Sequence, residues 1–142
     1  LYGLGADQLE RRLGVIAFNL GDIPHALVAA ALAYEHGIGV RNGCFCAHPF
    51  VLSMMEVGEE EARAFSERVR NGSKSLIPGA VRASFGLYTS EEDVDRALAA
   101  LDQIARGNLA LRYEEETSHG EFHPIAGAID YEAILTSRTH LR

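Results

Sequence analysis

Residues 37–49 read GIGVRNGCFCAHP, and this stretch holds both cysteines of the chain together with an arginine and a histidine. Apolar Ile38 and Val40 alternate with smaller or polar residues, a period of two that predicts a half-buried strand ended by Gly43. A thiol just beyond such a strand, close to an arginine, would have a lowered pKa and act as a thiolate nucleophile. Cysteines also serve as small buried hydrophobes, so the spacing alone leaves both interpretations open.

Two further predicted strands flank this one. Residues 14–20 form a short, mostly apolar run bounded by glycines. Residues 81–88 alternate again, with Phe85 on the apolar face and Arg82 on the other. Strands interleaved with helices predict an α+β fold, a small mostly antiparallel sheet with helices packed on one face. The opposite face would carry Arg41 and Arg82, each either a surface residue or the ligand of a carboxylate or phosphate.

Capping residues delimit the predicted helices. Asp22 and Pro24 begin the first helix, and Gly37 ends it. A second begins at Gly58, with glutamates in its first turn and arginines in its last, which complements the helix dipole. A third begins at Ser90 with a capping-box sequence and carries apolar residues at helical spacing.

Weaker patterns cover the rest of the chain. They predict helical turns in 6–12 and 49–55, a strand in 109–113 and a short helix in 131–137. His25 and His36, at the two ends of the first helix, are interpreted as a surface residue and a charge partner of the helix C-terminus. Neither a repeat nor a shift in composition divides the 142 residues, so a single domain is predicted.

Charge and hydropathy exclude several classes of partner. The net charge is -7 and basic residues form no cluster, which argues against nucleic acid or an anionic membrane as partner. The chain contains no apolar run near the roughly 18 residues of a membrane helix. Two cysteines one residue apart cannot form an ordinary structural disulfide. A cytoplasmic protein with a small-molecule partner is therefore expected.

Lysine is almost absent from the chain. Lys74 is the only one, and it lies in a polar loop where a Schiff-base lysine, which works best desolvated, is not expected. A lysine needed for such chemistry would have to come from elsewhere. The chain begins with Leu1 rather than methionine, and it is expected to be part of a longer protein.

Two groups of residues are candidates for metal ligands. Cys44, Cys46 and His48 form Cys-x-Cys-x-His, but structural zinc usually needs four ligands in wider, paired spacings. His119 and His123 are four residues apart, but a glycine and a proline nearby disfavour a helix that would bring them together. Exposed loop histidines are the simpler interpretation of that pair.

Four segments follow one another in a characteristic order: GVIAF at 14–18, GIGVRNGCFCA at 37–47, VRASFGLY at 81–88 and TSEEDVD at 89–95. Together they resemble the C-terminal small domain of the class V aminotransferase family, in particular its cysteine desulfurase and selenocysteine lyase branch. The resemblance covers residues 14–107, with 108–142 as a C-terminal extension. It implies the small domain of a fold-type I pyridoxal 5'-phosphate enzyme, whose cofactor is held by a lysine of a large domain absent here.

The resemblance also implies roles for individual residues. Cys46 matches the cysteine that takes sulfur from L-cysteine, or selenium from L-selenocysteine, and carries it as a persulfide. Arg82 matches the arginine that holds the substrate carboxylate, and Arg41 matches an arginine on the same side of the site. Family members are usually homodimers through the large domain, and some pass sulfur to an acceptor protein. The isolated small domain is expected to be inactive.

Departures from the desulfurase pattern leave the reaction open. Cys44 has no counterpart in most desulfurases, and the Cys-Phe-Cys sequence is also similar to molybdenum cofactor sulfurases. The segment between Cys46 and Arg82 is longer than usual, which predicts an inserted helix beside the cysteine loop. An aminotransferase or epimerase without persulfide chemistry is one alternative. A stand-alone metal or small-ligand binding module is another.

Overall fold

A three-stranded antiparallel sheet lies at the centre of the structure, a computed structural model that describes residues 1–125. Its strands are β1 (Val15–Phe18), β2 (Arg41–Gly43) and β3 (Ala80–Ser84). Their order is β1-β3-β2, and β3 pairs antiparallel with both neighbours. The α+β fold with a small antiparallel sheet is confirmed.

Helices connect these strands, and a hairpin follows them. A short 3₁₀ segment precedes β1, at Ala6–Arg11. The α-helices of the described part are α1 (His25–His36), α2 (His48–Met54), α3 (Glu59–Arg70) and α4 (Glu91–Ala105). The hairpin consists of β4 (Tyr113–Glu116) and β5 (Glu121–Pro124). None of the helices described in residues 1–125 is long and apolar enough to cross a membrane.

The core forms where α1 and α4 pack against one face of the sheet. Phe18 of β1 is opposite Val81 of β3, and both are buried. They form one cluster with buried residues of the two helices, namely Val28, Ala31, Leu32, Ala100 and Ile104. Because side chains alternate along a strand, Ala17 and Arg82 belong to the other face of the sheet.

Strong local signals are confirmed at the helix ends. Ser90 and Asp93 form the predicted capping box at the start of α4. Gly37 ends α1 with a φ of 66°, and its N–H donates to the carbonyl oxygen of Ala33. The cap predicted at Asp22 is wrong: Pro24 occupies the N-cap position of α1, and no side chain caps the helix.

Two strand boundaries differ from the prediction. Strand β2 begins at Arg41 rather than Ile38, because the N–H of Ile38 donates to Leu32 in the cap of α1. Strand β3 ends at Ser84, because a turn follows in which the N–H of Thr89 donates to the carbonyl oxygen of Gly86. Phe85 lies beyond the strand and is 44% exposed, so it is not part of the buried core.

The predicted strand in 109–113 is a loop for most of its length. The carboxylate of Glu35 accepts hydrogen bonds from the N–H groups of Ala110 and Leu111, and from the hydroxyl of Tyr113. Those backbone groups are therefore not available to a strand partner, and pairing begins only at Tyr113. The helix predicted in 131–137 lies outside the described residues.

Candidate functional site

A tight turn connects β2 to α2 and carries both cysteines. The N–H of Ala47 donates to the carbonyl oxygen of Cys44 at 2.8 Å. The two residues between them, Phe45 and Cys46, have φ angles of 52° and 61°. Positive φ is uncommon outside glycine, and it costs of order 1–3 kcal/mol per residue when the surrounding structure imposes it. Phe45 and Cys46 are two of the four described non-glycine residues with positive φ, and the family resemblance implies that Cys46 is the nucleophile.

The two thiols lie in different environments. Cys44 is 7% exposed, and its thiol donates to the carbonyl oxygen of Pro78 at 2.8 Å. Burial raises the pKa of Cys44, which favours the protonated and less reactive form. Cys46 is exposed. An electrophile or a substrate sulfur in solution therefore reaches Cys46 far more easily than Cys44.

The two candidate arginines are neighbours across the sheet. Arg41 of β2 is directly opposite Arg82 of β3, and Ala17 of β1 is opposite Arg82 on its other side. The guanidinium carbon of Arg82 lies 5.0 Å from the centroid of the Phe45 ring. The turn that carries Cys46 therefore contacts the arginine for which the family resemblance implies a role in substrate binding.

Neither guanidinium group is neutralised by the part of the chain that the structure describes. Within residues 1–125, Arg41 and Arg82 form no ion pair, and the Nε atom of Arg82 is shielded from solvent without a hydrogen-bond partner. Like charges directly opposite in a sheet are destabilising. An anion bound between the two side chains would relieve this repulsion, and a planar carboxylate fits the guanidinium fork.

His25 lies in a cleft beside the cysteine turn, although the sequence suggested a surface residue, and the described lining of this cleft does not include Arg41, Arg82 or Cys46. Its Nε2 lies 2.9 Å from the carbonyl oxygen of Ile77, and its Nδ1 lies 3.3 Å from the amide nitrogen of Asn42. These contacts favour a neutral ring with the proton on Nε2. Burial lowers the pKa of His25, and the hydrogen bond to Ile77 only partly offsets this effect. A cleft of about 480 Å³ opens here, lined in part by His25, Asn42 and Cys44.

The candidate metal ligands do not form a centre. Within the described range, no three histidine, cysteine or acidic side chains are grouped as a metal ion would require. His119 and His123 lie on the hairpin, and Glu116 contacts both, at 2.7 Å and 3.4 Å. The hydrogen bond from His119 is the largest of the effects that lower the pKa of Glu116. These histidines are therefore partners of a carboxylate in residues 113–124.

The segment between Cys46 and Arg82 contains two helices. Helix α2 packs inward through Val51, which is 2% exposed. Helix α3 has no buried residue, so it lies at the periphery as predicted. Phe45 and Asn42 were not expected in the site from the sequence. The one feature of the sequence that could have identified Phe45 is its position between the two cysteines.

Comparison with known proteins gives one family and a consistent set of relatives. The family described as aminotransferase class V matches residues 1–97. Cysteine desulfurases of Yersinia pseudotuberculosis and Yersinia pestis are each 36% identical to this chain over 95 residues. That alignment covers 67% of this chain and 18% of each relative, so the chain spans about a fifth of their length.

A solved structure is also similar to this chain. It is the crystal structure of the cysteine desulfurase CsdA from Escherichia coli, in its S-sulfonic acid form. The TM-score is 0.47, and the identity is 25% over 73% of this chain and 23% of that chain.

Proposed function

The chain belongs to the class V aminotransferase family, and we propose that it is the C-terminal small domain of an enzyme that removes sulfur from L-cysteine, or selenium from L-selenocysteine. The observation that carries the proposal is the turn at Cys46. It presents an exposed thiol on strained backbone and contacts an arginine without a carboxylate partner in the described part of the chain. The identity to cysteine desulfurases over residues of this same domain supports it.

Cys46 would act as the sulfur acceptor. Its thiolate attacks the sulfur atom of the bound amino acid, and a sulfur–sulfur bond forms as the carbon–sulfur bond breaks. The electron pair of the broken bond stays on the β-carbon of the amino acid, which takes up a proton and leaves as alanine. Cys46 then holds the sulfur as a persulfide. The exposure of Cys46 supports a second step, in which an acceptor protein or small thiol takes the sulfur from it.

Arg82 and Arg41 would hold the substrate carboxylate. Both lie on the sheet face opposite the helices, and both keep their guanidinium donors free of carboxylates within residues 1–125. A carboxylate bound there would fix the orientation of the amino acid and direct its sulfur toward Cys46. The role of Arg82 is the better supported, since Phe45 links it to the cysteine turn.

The described residues of this chain do not fit as holders of the family cofactor, pyridoxal 5'-phosphate. Lys74 is the only lysine; it is exposed, and its N–H donates to Thr117 beside the hairpin. We therefore propose that a separate large domain binds the cofactor and forms the homodimer. In this proposal residues 14–107 are the core of the small domain, 108–142 are its extension, and the isolated chain is inactive. Two free thiols fit a cytoplasmic location.

A pair of cysteine variants of the full-length protein tests the proposal. We expect Cys46→Ala to bind the cofactor normally but to release neither alanine nor sulfide from L-cysteine. The matched control is Cys44→Ala, which removes a buried thiol two residues away and should keep most of the turnover. Unchanged turnover in Cys46→Ala would contradict the role of that thiol. A keto acid or racemised amino acid as the product would instead indicate an aminotransferase or epimerase.

A further inference from the structure

The aromatic ring between the two cysteines has a defined contact. The Phe45 ring lies under the Arg82 guanidinium, whose central carbon is 5.0 Å from the ring centroid. Phe45 is not part of the buried core cluster, and its ring is only partly buried. The side chain is therefore not explained by core packing, and the cation–π contact with Arg82 is its most specific contact.

Arg82 needs such a contact. Its Nε atom is shielded from solvent and has no hydrogen-bond partner in residues 1–125, and Arg41 lies opposite it. A guanidinium in this setting loses hydration and is repelled by its neighbour. The negative face of an aromatic ring attracts a cation and stacks well on a planar guanidinium, so Phe45 offsets part of both costs.

The backbone of the turn is in the left-handed region at two consecutive residues. With φ angles of 52° and 61°, Phe45 and Cys46 both adopt a conformation that side-chain-bearing residues avoid. Glycine would adopt it at lower cost, but glycine has no ring to place over Arg82. The same two residues thus link the orientation of the exposed thiol to that of the guanidinium.

We propose that Phe45 is a positioning residue, which holds the Arg82 guanidinium in the orientation that receives the substrate carboxylate beside the Cys46 thiol. The substrate clause of this inference rests on the proposed function. The positioning of Arg82 by the ring does not depend on the substrate. The two parts are therefore tested by different measurements.

The first measurement is spectroscopic. In the full-length protein carrying isotope-labelled arginine, the Nε–H signal of Arg82 is assigned by its loss in Arg82→Lys. A ring stacked on the guanidinium shifts that proton upfield, and we expect Phe45→Leu to move it back toward the ordinary arginine position. Phe45→Tyr keeps the ring and should keep the shift. A signal that does not respond to Phe45→Leu would overturn the inference.

A second aromatic–arginine pair provides the matched control. On α3, the Arg68 guanidinium lies 4.4 Å from the Phe65 ring centroid, remote from the cysteine turn in sequence. Phe65→Leu removes the same number of ring atoms from a peripheral helix. It should shift the signal of Arg68 and leave that of Arg82 unchanged. If the Arg82 signal shifted in this control, the signal would report a general loss of packing rather than the Phe45 contact. That result would overturn the positioning role of Phe45.

The second measurement is kinetic. Phe45→Leu should raise the KM for L-cysteine about five- to tenfold, with kcat changed less than about twofold, and Phe45→Tyr should restore the KM. An unchanged KM, with the Arg82 signal moved, would overturn the substrate clause. If the wild-type protein makes no alanine from L-cysteine, the proposed function fails, and the Arg82 signal still decides whether Phe45 positions the guanidinium.

Discussion

Arg41 of β2 and Arg82 of β3 are directly opposite each other, on the sheet face that α1 and α4 leave uncovered. Paired strands place such side chains about 5 Å apart at their Cβ atoms, so the two charges repel each other unless an anion lies between them. Residues 1–125 supply no carboxylate for this pair, which supports the proposal that a substrate carboxylate binds there.

Replacing Arg82 tests the carboxylate site. Arg82→Lys keeps the charge but loses the bidentate fork, and we expect kcat/KM for L-cysteine to fall about ten- to a hundredfold, mainly through KM. Steady-state kinetics of the full-length protein measures this. Arg63→Lys is the control, because Arg63 forms an ion pair with Glu59 on the exposed helix α3. This variant should leave kcat and KM unchanged. Equal kinetics in both variants would remove Arg82 from the site.

The two cysteines should differ in reactivity. Cys46 is exposed, whereas Cys44 is buried, donates to Pro78 and has a raised pKa. At neutral pH we expect iodoacetamide to modify Cys46 at least about ten times faster than Cys44, because the thiolate is the reactive form. Peptide mass spectrometry over a time course measures both rates. Faster modification of Cys44 would show that the turn is arranged differently.

The free energy of unfolding should fall as the pH drops through the range in which His25 titrates. Burial lowers the pKa of His25 in the folded protein, so below about pH 6.5 the unfolded chain takes up a proton that the folded state does not. The free energy of unfolding then decreases, by at most about 1.4 kcal/mol per pH unit, until the folded pKa is reached. Urea denaturation at several pH values measures this slope.

His25→Gln is the variant that isolates this effect. It should be less stable at neutral pH, because the bond to Ile77 is altered, but its pH slope in that window should be flatter. Burial acts to raise the pKa of Glu35, but the hydrogen bonds from Ala110, Leu111 and Tyr113 outweigh it and lower the pKa. The stability that Glu35 contributes is therefore lost only at more acidic pH. A wild-type slope in His25→Gln would contradict the assignment.

Two glycines should respond oppositely to alanine. A Cβ on Gly79 would lie 2.7 Å from the Cα of Gly43 and 2.7 Å from Nε2 of His25. Gly79→Ala should therefore cost about 1–3 kcal/mol in the free energy of unfolding, as overpacking does. Gly39 has open space around it, and Gly39→Ala should be neutral or stabilising by up to about 1 kcal/mol. Urea denaturation that ranks the two variants the other way would contradict this packing.

Local signals in the sequence predicted much of the fold. The capping box at Ser90, the charges at the two ends of α3 and the glycine at the end of α1 each act within one turn of a helix. The positions of Arg41 and Arg82 on the uncovered face followed from strand alternation. Such features depend on neighbours in the chain, so a single sequence contains the information.

The remaining features depend on distant contacts. The Glu35 carboxylate accepts hydrogen bonds from Ala110 and Leu111, which are 75 and 76 residues away. Because of this contact, the segment predicted as a strand is a loop. The contact of Phe45 with Arg82 depends on a turn of positive φ and on the pairing of β2 with β3. Neither feature can be predicted from the local composition of the sequence. The burial of His25 likewise depends on the loop at Ile77.

Sulfur transfer to Cys46 can be followed by mass spectrometry. The full-length protein is incubated with pyridoxal 5'-phosphate and L-cysteine, its thiols are alkylated, and intact and peptide masses are recorded. We expect one added sulfur atom on the peptide of Cys46, and none on Cys44 in the Cys46→Ala variant. A cofactor-loaded protein that adds no sulfur to Cys46 would show that this thiol is not the sulfur acceptor.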